Sequence, residues 1–391
     1  MHKILITGGN FINKGAQSML FCLVDSLKTK YPESEIVMID LFPTLKVEDK
    51  DKYNFRIVNM HIRTVLRMAF PVIKLIVKPK PISNPEKEIK SHFATADLIL
   101  DISGYGVSSH NQSPLWTYAT LFPVKLARKK NIPFVFLPQS IGPFDFKGWK
   151  KLVIWPLVKK YLSYPKAIFI REPECRVYTD KIRKEGVIDS FDLVLQSPKI
   201  NLNHIYCEDQ QDLKANEVNH KSVIVVPNKQ LTKLKTKQEV VVLFSGLINE
   251  LLQNGEQVAI VRHSNDDKTL CDEIYREVDH SDVQLVNRDL SPYEIQQIFD
   301  DSKAVVTARY HGLIHALKLS KPCLVIGWAN KYKHVMKSFH MDEYQFDIRN
   351  IDESKMKASL MQLVQNEEEI STLITNKLKE IKATDIFNYI R

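Results

Sequence analysis

Residues 304–319 read AVVTARYHGLIHALKL. The run from Ala304 to Thr307 is short, aliphatic and β-branched, which suits a strand buried on both faces better than a helix. Arg309, Tyr310, His311 and Gly312 interrupt it, and Leu313 to Leu319 resumes with helical period. A strand that turns directly into a helix is the building unit of a parallel α/β sheet. Its turn projects from the carboxyl end of the strand, where open α/β sheets place ligands. The amides of a helix start favour an anion there. Arg309 offers a planar fork for phosphate or carboxylate, His311 exchanges a proton near neutral pH, and Gly312 lets backbone come close to a ligand. On these residues alone a plainer reading stands beside that one, with Arg309 ion-paired and His311 capping the helix. The next strand-like run, 323–326, ends in Gly327-Trp328-Ala329-Asn330-Lys331-Tyr332, so Lys331 should emerge from a neighbouring strand end.

The same alternation extends in both directions. Runs at 4–7, 35–40, 98–101, 134–137 and 167–170 read as strands, with helical stretches at 15–30, 114–130 and 172–184 between them. From about 196 to 220 the chain turns polar and loses its period, opening on Ser197-Pro198, and strands resume at 223–226, 257–261, 283–286, 304–307 and 323–326. The 391 residues exceed what one hydrophobic core usually serves. The expected organisation is an α/β domain over 1–200, a second over 215–350, a cleft between them, and a helical tail over 352–391 packing back on the body.

With 44% apolar and 26% charged residues the composition is that of a globular chain, not a collagenous or disordered one. The five cysteines (Cys22, Cys175, Cys207, Cys271, Cys323) are scattered without a CxxC pair, which argues against a disulfide framework or a zinc cluster. His311 and His315 are four apart but lack the glutamate of HExxH, so no metal site is expected and His315 should pack at the sheet. Gly8-Gly9-Asn10 is neither a dinucleotide fingerprint nor a P-loop. The chain enters a strand at once, without an apolar stretch and cleavage site, and holds no run of 18 apolar residues; a cytoplasmic setting is expected. Residues 1–200 carry 31 Lys+Arg against 18 Asp+Glu, a surplus of +13, while the remainder is −4. No nucleic-acid-binding signature accompanies the surplus, so nucleic acid is not an expected partner, and anionic substrates or an anionic membrane surface are left.

Residues 291–336, SPYEIQQIFDDSKAVVTARYHGLIHALKLSKPCLVIGWANKYKHVM, resemble the signature region of the polysaccharide pyruvyl transferase family: an R-x-H-G turn, a helix ending near Ala-Leu, a Pro-led strand, and a Lys-Tyr pair. Looser likenesses span the rest. Gly8-Gly9-Asn10 with Asn13-Lys14-Gly15-Ala16 is similar to the family's first-strand turn, although many members have Asp where this chain has Ala16. Gly104-Tyr105-Gly106 resembles a second glycine turn and Gln139-Ser140-Ile141-Gly142-Pro143 a third, while Arg171-Glu172-Pro173-Glu174-Cys175 resembles the family's R-D-x-x-S with Glu for Asp and Cys for Ser.

The resemblance implies two Rossmann-like domains facing across a cleft, as in GT-B glycosyltransferases, with phosphoenolpyruvate as pyruvyl donor and co-substrate, no cofactor, and a pyruvate ketal on a sugar as product. It implies His311 in catalysis, and Arg171, Arg309, Lys331 and Gly312 at the donor. The strand-end turns that would border the cleft are where an acceptor, a sugar or lipid-linked oligosaccharide, is expected, near Asn10, Asn13, Gly104, Gly106 and Gln139. A doubly charged donor needs two or three cations, which fits those residue types. Taken singly, Arg171 could equally pair with Glu172 or Glu174, Lys331 could be a solvated lysine, and the glycines could simply make strand-to-helix turns. A GT-B glycosyltransferase using a nucleotide sugar and a catalytically silent glycan-binding relative are the competing readings; the second would need an incomplete Arg/His/Lys set, and here the set is complete.

Two segments stand apart: 65–77, VLRMAFPVIKLIV, flanked by Arg63, Lys78 and Lys80, and 149–164, WKKLVIWPLVKKYLSY. Each is apolar and basic enough to lie at the inner face of an anionic membrane, and each is also an ordinary helix that would cover a sheet. Burial is the expectation, with peripheral membrane association through the basic N-terminal domain as its rival.

Overall fold

The computed structural model describes residues 1–43, 49–110, 114–208, 217–383 and 386–389. The chain divides into two compact units, one up to Gln210 and the other from Gln211 to Thr384, with the short 3-10 turn Ile386–Tyr389 grouped with the first. The middle of the polar stretch read between 196 and 220 lies outside the described residues.

The first unit contains β1 (Lys3–Thr7), α1 (Lys14–Lys30), β2 (Glu35–Asp40), β3 (Arg56–Asn59), α2 (Ile62–Ala69), α3 (Glu86–Ala94), β4 (Leu98–Asp101), α4 (Pro114–Lys130), β5 (Phe134–Gln139), α5 (Trp149–Leu162), β6 (Ala167–Ile170), α6 (Glu174–Thr179), β7 (Val187–Asp189) and α7 (Leu193–Gln196). Its sheet runs β3-β2-β1-β4-β5-β6-β7 with every pair parallel. Ile4, Leu5 and Ile6 are fully buried, as a central strand covered on both faces requires.

The second unit contains β8 (Val223–Val226), α8 (Lys237–Gln253), β9 (Val258–Val261), α9 (Lys268–Val278), β10 (Val283–Val286), α10 (Pro292–Asp300), β11 (Ala304–Thr307), α11 (Tyr310–Lys318), β12 (Cys323–Gly327), α12 (Asn330–Ser338), β13 (Gln345–Asp347), α13 (Glu353–Gln365) and α14 (Glu367–Lys382). The strand order is β10-β9-β8-β11-β12-β13, again all parallel. Ser291 and Glu294 close a capping box on α10 with Pro292 in its first turn, which fixes where that helix starts.

Each sheet is doubly wound, so each has one place where strand order reverses: between β1 and β4 in the first, between β8 and β11 in the second. The carboxyl ends flanking a reversal are where such sheets bind ligands. The sequence reading differs from the structure at the margins. β3, β7 and β13 escape it, being edge strands of three or four residues. The helix expected over 172–184 spans only Glu174–Thr179; beyond it the chain turns, and Arg183 Nε donates to the carbonyl of Glu185 (2.6 Å). The burial expected of 65–77 and 149–164 holds only in part: Val65, Ile154, Val158, Tyr161 and Leu162 are buried, while Phe70, Val72, Leu75, Ile76, Trp149, Leu152 and Val153 face outward.

Candidate functional site

In the second unit β11 ends at Thr307, a fully buried residue whose Oγ1 accepts the Arg309 N–H at 3.0 Å. A Cβ on Gly312 would sit 2.4 Å from that Oγ1, so only glycine lets the first turn of α11 settle against the strand end. Arg309 takes the N-cap position in extended conformation, without a side-chain cap bond. The carbonyl of Ala308 accepts from Asn228 Nδ2 (2.9 Å) and Tyr332 Oη (3.1 Å), which ties together the ends of β8 and β11 and the first turn of α12. Asn228 was not apparent from the sequence.

Arg309 forks onto Asp267: Nε donates to Oδ2 at 2.9 Å and Nη2 to Oδ1. Asp267 is completely buried after β9 and also accepts the Lys229 N–H at 2.9 Å. The ion-paired reading of Arg309 therefore describes its position. His311 stands edge-on to Tyr310, ring centroids 5.3 Å apart. Lys331 Nζ lies 4.6 Å from the centroid of the same Tyr310 ring. Tyr332 crosses Tyr310 at 5.8 Å and packs over Gly327, where a Cβ would come within 2.7 Å of the Tyr332 ring. The Tyr310 ring thus packs against both His311 and Lys331, while Asp267 holds Arg309 and Thr307 holds Gly312 in the same turn.

Two more basic residues border this cluster. Arg262 and His263 follow β9 and are both buried. His263 lies 5.9 Å from the fully buried His315, which packs inward as expected. Burial pushes the Cys271 thiol above its usual range, and both Arg262 and Arg309 oppose that rise from nearby. The available signal was the same as at β11: basic residues immediately after a short aliphatic strand.

The remaining expected residues belong to the first unit, also at strand ends. Asn10 Oδ1 accepts from Ile12 N (3.2 Å) and Asn13 N (2.9 Å), and Asn13 Oδ1 caps α1 at Gly15 N (2.9 Å). Ala16 is buried in that helix. Gly104 has φ +69°, and a Cβ on Gly106 would approach Thr120 to 2.6 Å. Asp101, at the end of β4, accepts from Thr7 Oγ1 (2.7 Å) and Ser103 N (2.9 Å), with Gln139 also holding it. Burial pushes its carboxyl up to about 6. Asp40, ending β2, is raised likewise to about 6.

Arg171 is buried in this unit. Its Nη1 donates to Asp192 Oδ2 at 2.6 Å, and its Nη2 to Gly104 O at 2.8 Å and Ser140 Oγ at 3.0 Å. The neighbouring carboxylate weighed as its partner, Glu172, stands at 4.0 Å and accepts instead from Ser140 Oγ (2.9 Å). A cavity of about 810 Å³ lies elsewhere in the unit, at the starts of β2 and β3 and beside Lys28, Glu88 and Cys207. It is remote from the strand ends.

A family model described as "Polysaccharide pyruvyl transferase" matches residues 13–330. No curated protein matches the chain. Among solved structures the chain is similar to UDP-GlcNAc 2-epimerase from Neisseria meningitidis bound to UDP-GlcNAc, with TM-score 0.56, 13% identity, and 98% of this chain and 97% of that one covered. It is similar to UDP-GlcNAc 2-epimerase from Methanocaldococcus jannaschii, with TM-score 0.55, 10% identity and coverage of 93% and 92%. It is also similar to Medicago truncatula UGT71G1 complexed with UDP-glucose, with TM-score 0.56, 8% identity and coverage of 97% and 94%. At these identities the likeness concerns the fold, which is the two-sheet GT-B type expected from the sequence.

Proposed function

The chain belongs to the polysaccharide pyruvyl transferase family, and from that premise we propose that it transfers a pyruvyl group from phosphoenolpyruvate to sugar hydroxyls, forming a pyruvate ketal on a cell-surface polysaccharide or its lipid-linked precursor. The observation that carries this reading is the β11–α11 turn. There Gly312 packs on Thr307, Asp267 fixes the Arg309 guanidinium, and the Tyr310 ring lies against both the His311 imidazole and the Lys331 ammonium.

Phosphoenolpyruvate brings a phosphate and a carboxylate, and charge-assisted hydrogen bonds to each contribute about 1.5–3 kcal/mol. Lys331 supplies a point charge and Arg309 a second cation. Asp267 takes up its Nε and Nη2, so Arg309 would reach the donor through Nη1. Arg262 is a further cation at the neighbouring strand end. Protonation of the methylene carbon makes the methyl group and leaves an oxocarbenium-like centre at C2. One sugar hydroxyl adds there and gives up its proton. A second hydroxyl on the same sugar then displaces inorganic phosphate from C2 and loses its proton, which closes the ketal. The first step needs an acid and the additions need a base, and His311 does both in turn.

On the first unit, Asn10, Asn13, Gly104, Gly106 and Gln139 lie beside the strand-order reversal and form the proposed acceptor side. Arg171 acts there by holding the Gly104 turn to the end of β5. The competing reading, a glycosyltransferase that uses a nucleotide sugar, draws on fold likeness alone. Incubation with phosphoenolpyruvate and candidate glycans separates the two: inorganic phosphate release with a carboxylated ketal product supports the proposal. Nucleotide release from a UDP-sugar with no turnover of phosphoenolpyruvate overturns it.

A further inference from the structure

Outward-facing apolar residues of the first unit lie on neighbouring elements. In the 3-10 turn Pro71–Leu75 and just beyond it, Val72, Leu75 and Ile76 are 82%, 93% and 83% exposed. On α5 Leu152 is 78% exposed, with Trp149 and Val153 beside it, and Leu115 and Trp116 open outward at the start of α4. These elements adjoin, since α4 contacts both α2 and α5, and Phe70 stacks on Tyr118 of α4 at 5.9 Å. Large aliphatic side chains standing almost wholly in water are unusual for a surface without a partner.

The 71–77 segment is braced from below. Arg67 Nη1 donates to the carbonyls of Lys74 (3.1 Å) and Val77 (2.6 Å), and its Nε pairs with Glu86 at 2.8 Å. Lys74 pairs with the same carboxylate at 2.6 Å. The turn backbone is therefore held while its apolar side chains point away from the protein. The exposed charges around these apolar residues are mainly positive, Glu86 being paired with Arg67 and Lys74. From 52 to 85 and from 146 to 171 the sequence contains no Asp or Glu, Asp145 standing just before the second stretch, and Arg63, Lys78, Lys80, Lys147, Lys150 and Lys151 are exposed.

We propose that this face docks the first unit onto an anionic lipid bilayer. Val72, Leu75, Ile76, Trp149, Leu152 and Val153 enter the headgroup layer and the surrounding lysines and arginine meet the lipid phosphates. Aliphatic residues interleaved with Lys and Arg suit an interface that is apolar inside and negative at its surface. A second copy of the chain fits poorly, because a two-fold contact would set the same basic rim against itself. Among the described residues no helix is long and apolar enough to cross a membrane, so the contact is peripheral. The proposal does not depend on the reaction assigned to the protein.

The test is co-sedimentation of the full chain with vesicles of phosphatidylcholine alone or with about one third phosphatidylglycerol. The expected result is binding to the anionic vesicles that weakens with salt. Leu75→Glu/Ile76→Glu and Leu152→Glu/Val153→Glu should each reduce it about tenfold or more. Lys78→Glu/Lys80→Glu should weaken binding to the anionic vesicles, with unchanged melting temperatures in all three variants. Failure of the wild-type chain to bind anionic vesicles, or equal binding by the glutamate variants, would overturn the proposal. So would a wild-type dimer in sedimentation velocity that the glutamate variants convert to monomer, since the face would then serve a second copy.

Discussion

Gly312→Ala is the substitution whose outcome the geometry fixes most tightly. The new Cβ would stand 2.4 Å from Thr307 Oγ1 and 3.3 Å from Thr307 Cβ. Thr307 is fully buried and its Oγ1 is engaged with the Arg309 N–H, so it cannot swing aside cheaply. Overpacking of this kind costs about 1–3 kcal/mol, offset by about 0.5–1 kcal/mol because alanine favours a helix over glycine. A net loss of about 1–2 kcal/mol is expected. Thr307→Ala removes the obstructing oxygen at the cost of one hydrogen bond, about 1 kcal/mol. In that background the nearest contacts of the new methyl are 3.3–3.4 Å, and Gly312→Ala should be neutral or stabilising. Urea unfolding of the four proteins then gives a coupling of about 2 kcal/mol. Additive losses, or a harmless Gly312→Ala in the wild-type background, would refute the claim that this contact sets the β11–α11 turn.

Three further outcomes are expected. His311→Gln keeps a polar side chain but cannot carry a proton at neutral pH, so turnover should fall about 10²–10⁴-fold at an unchanged melting temperature; near-normal turnover in a stable protein would mean that another group is the acid. Arg171→Met strands the buried Asp192 carboxylate and should destabilise by about 3–5 kcal/mol, partly recovered when Asp192→Asn is added; a loss below about 1 kcal/mol by urea unfolding would contradict the clamp. Asp101, pushed up to about 6, binds its proton more tightly folded than unfolded. Its contribution is therefore full below the unfolded value of 3.8 and is lost as pH rises to about 6. Asp101→Asn should flatten the pH profile of the unfolding free energy across that window by up to about 3 kcal/mol, and an unchanged slope would count against the shift.

The strand, turn and helix at 304–319 were legible because a short aliphatic run, a glycine and a helical period all fall in one stretch. Lys331 was legible because the next strand repeats the pattern. Asp267 and Asp192 were not, since they meet Arg309 and Arg171 across 42 and 21 residues of chain, and no local spacing announces such a pair. Arg262 and His263 follow a strand as Arg309 does but lack a glycine to mark the turn. The edge strands β7 and β13, three residues each, are too short to show a period, and β3 offers only Ile57 and Val58 between Arg56 and Asn59. Val72, Leu75 and Ile76 misled because an apolar run reads alike whether the fold covers it or leaves it outside. Pairing also changes which variant is informative: Arg309→Ala would strand the buried Asp267, whereas Lys331 packs on an aromatic face and can be truncated with less collateral cost.

Calorimetric titration of the full chain and of Lys331→Ala with phosphoenolpyruvate therefore tests the central claim most directly. Saturable binding by the wild-type chain, weakened roughly ten- to a hundredfold in the variant, is the result expected from loss of one charge-assisted contact of about 1.5–3 kcal/mol. Absence of phosphoenolpyruvate binding, or an affinity that the variant leaves unchanged, would contradict it.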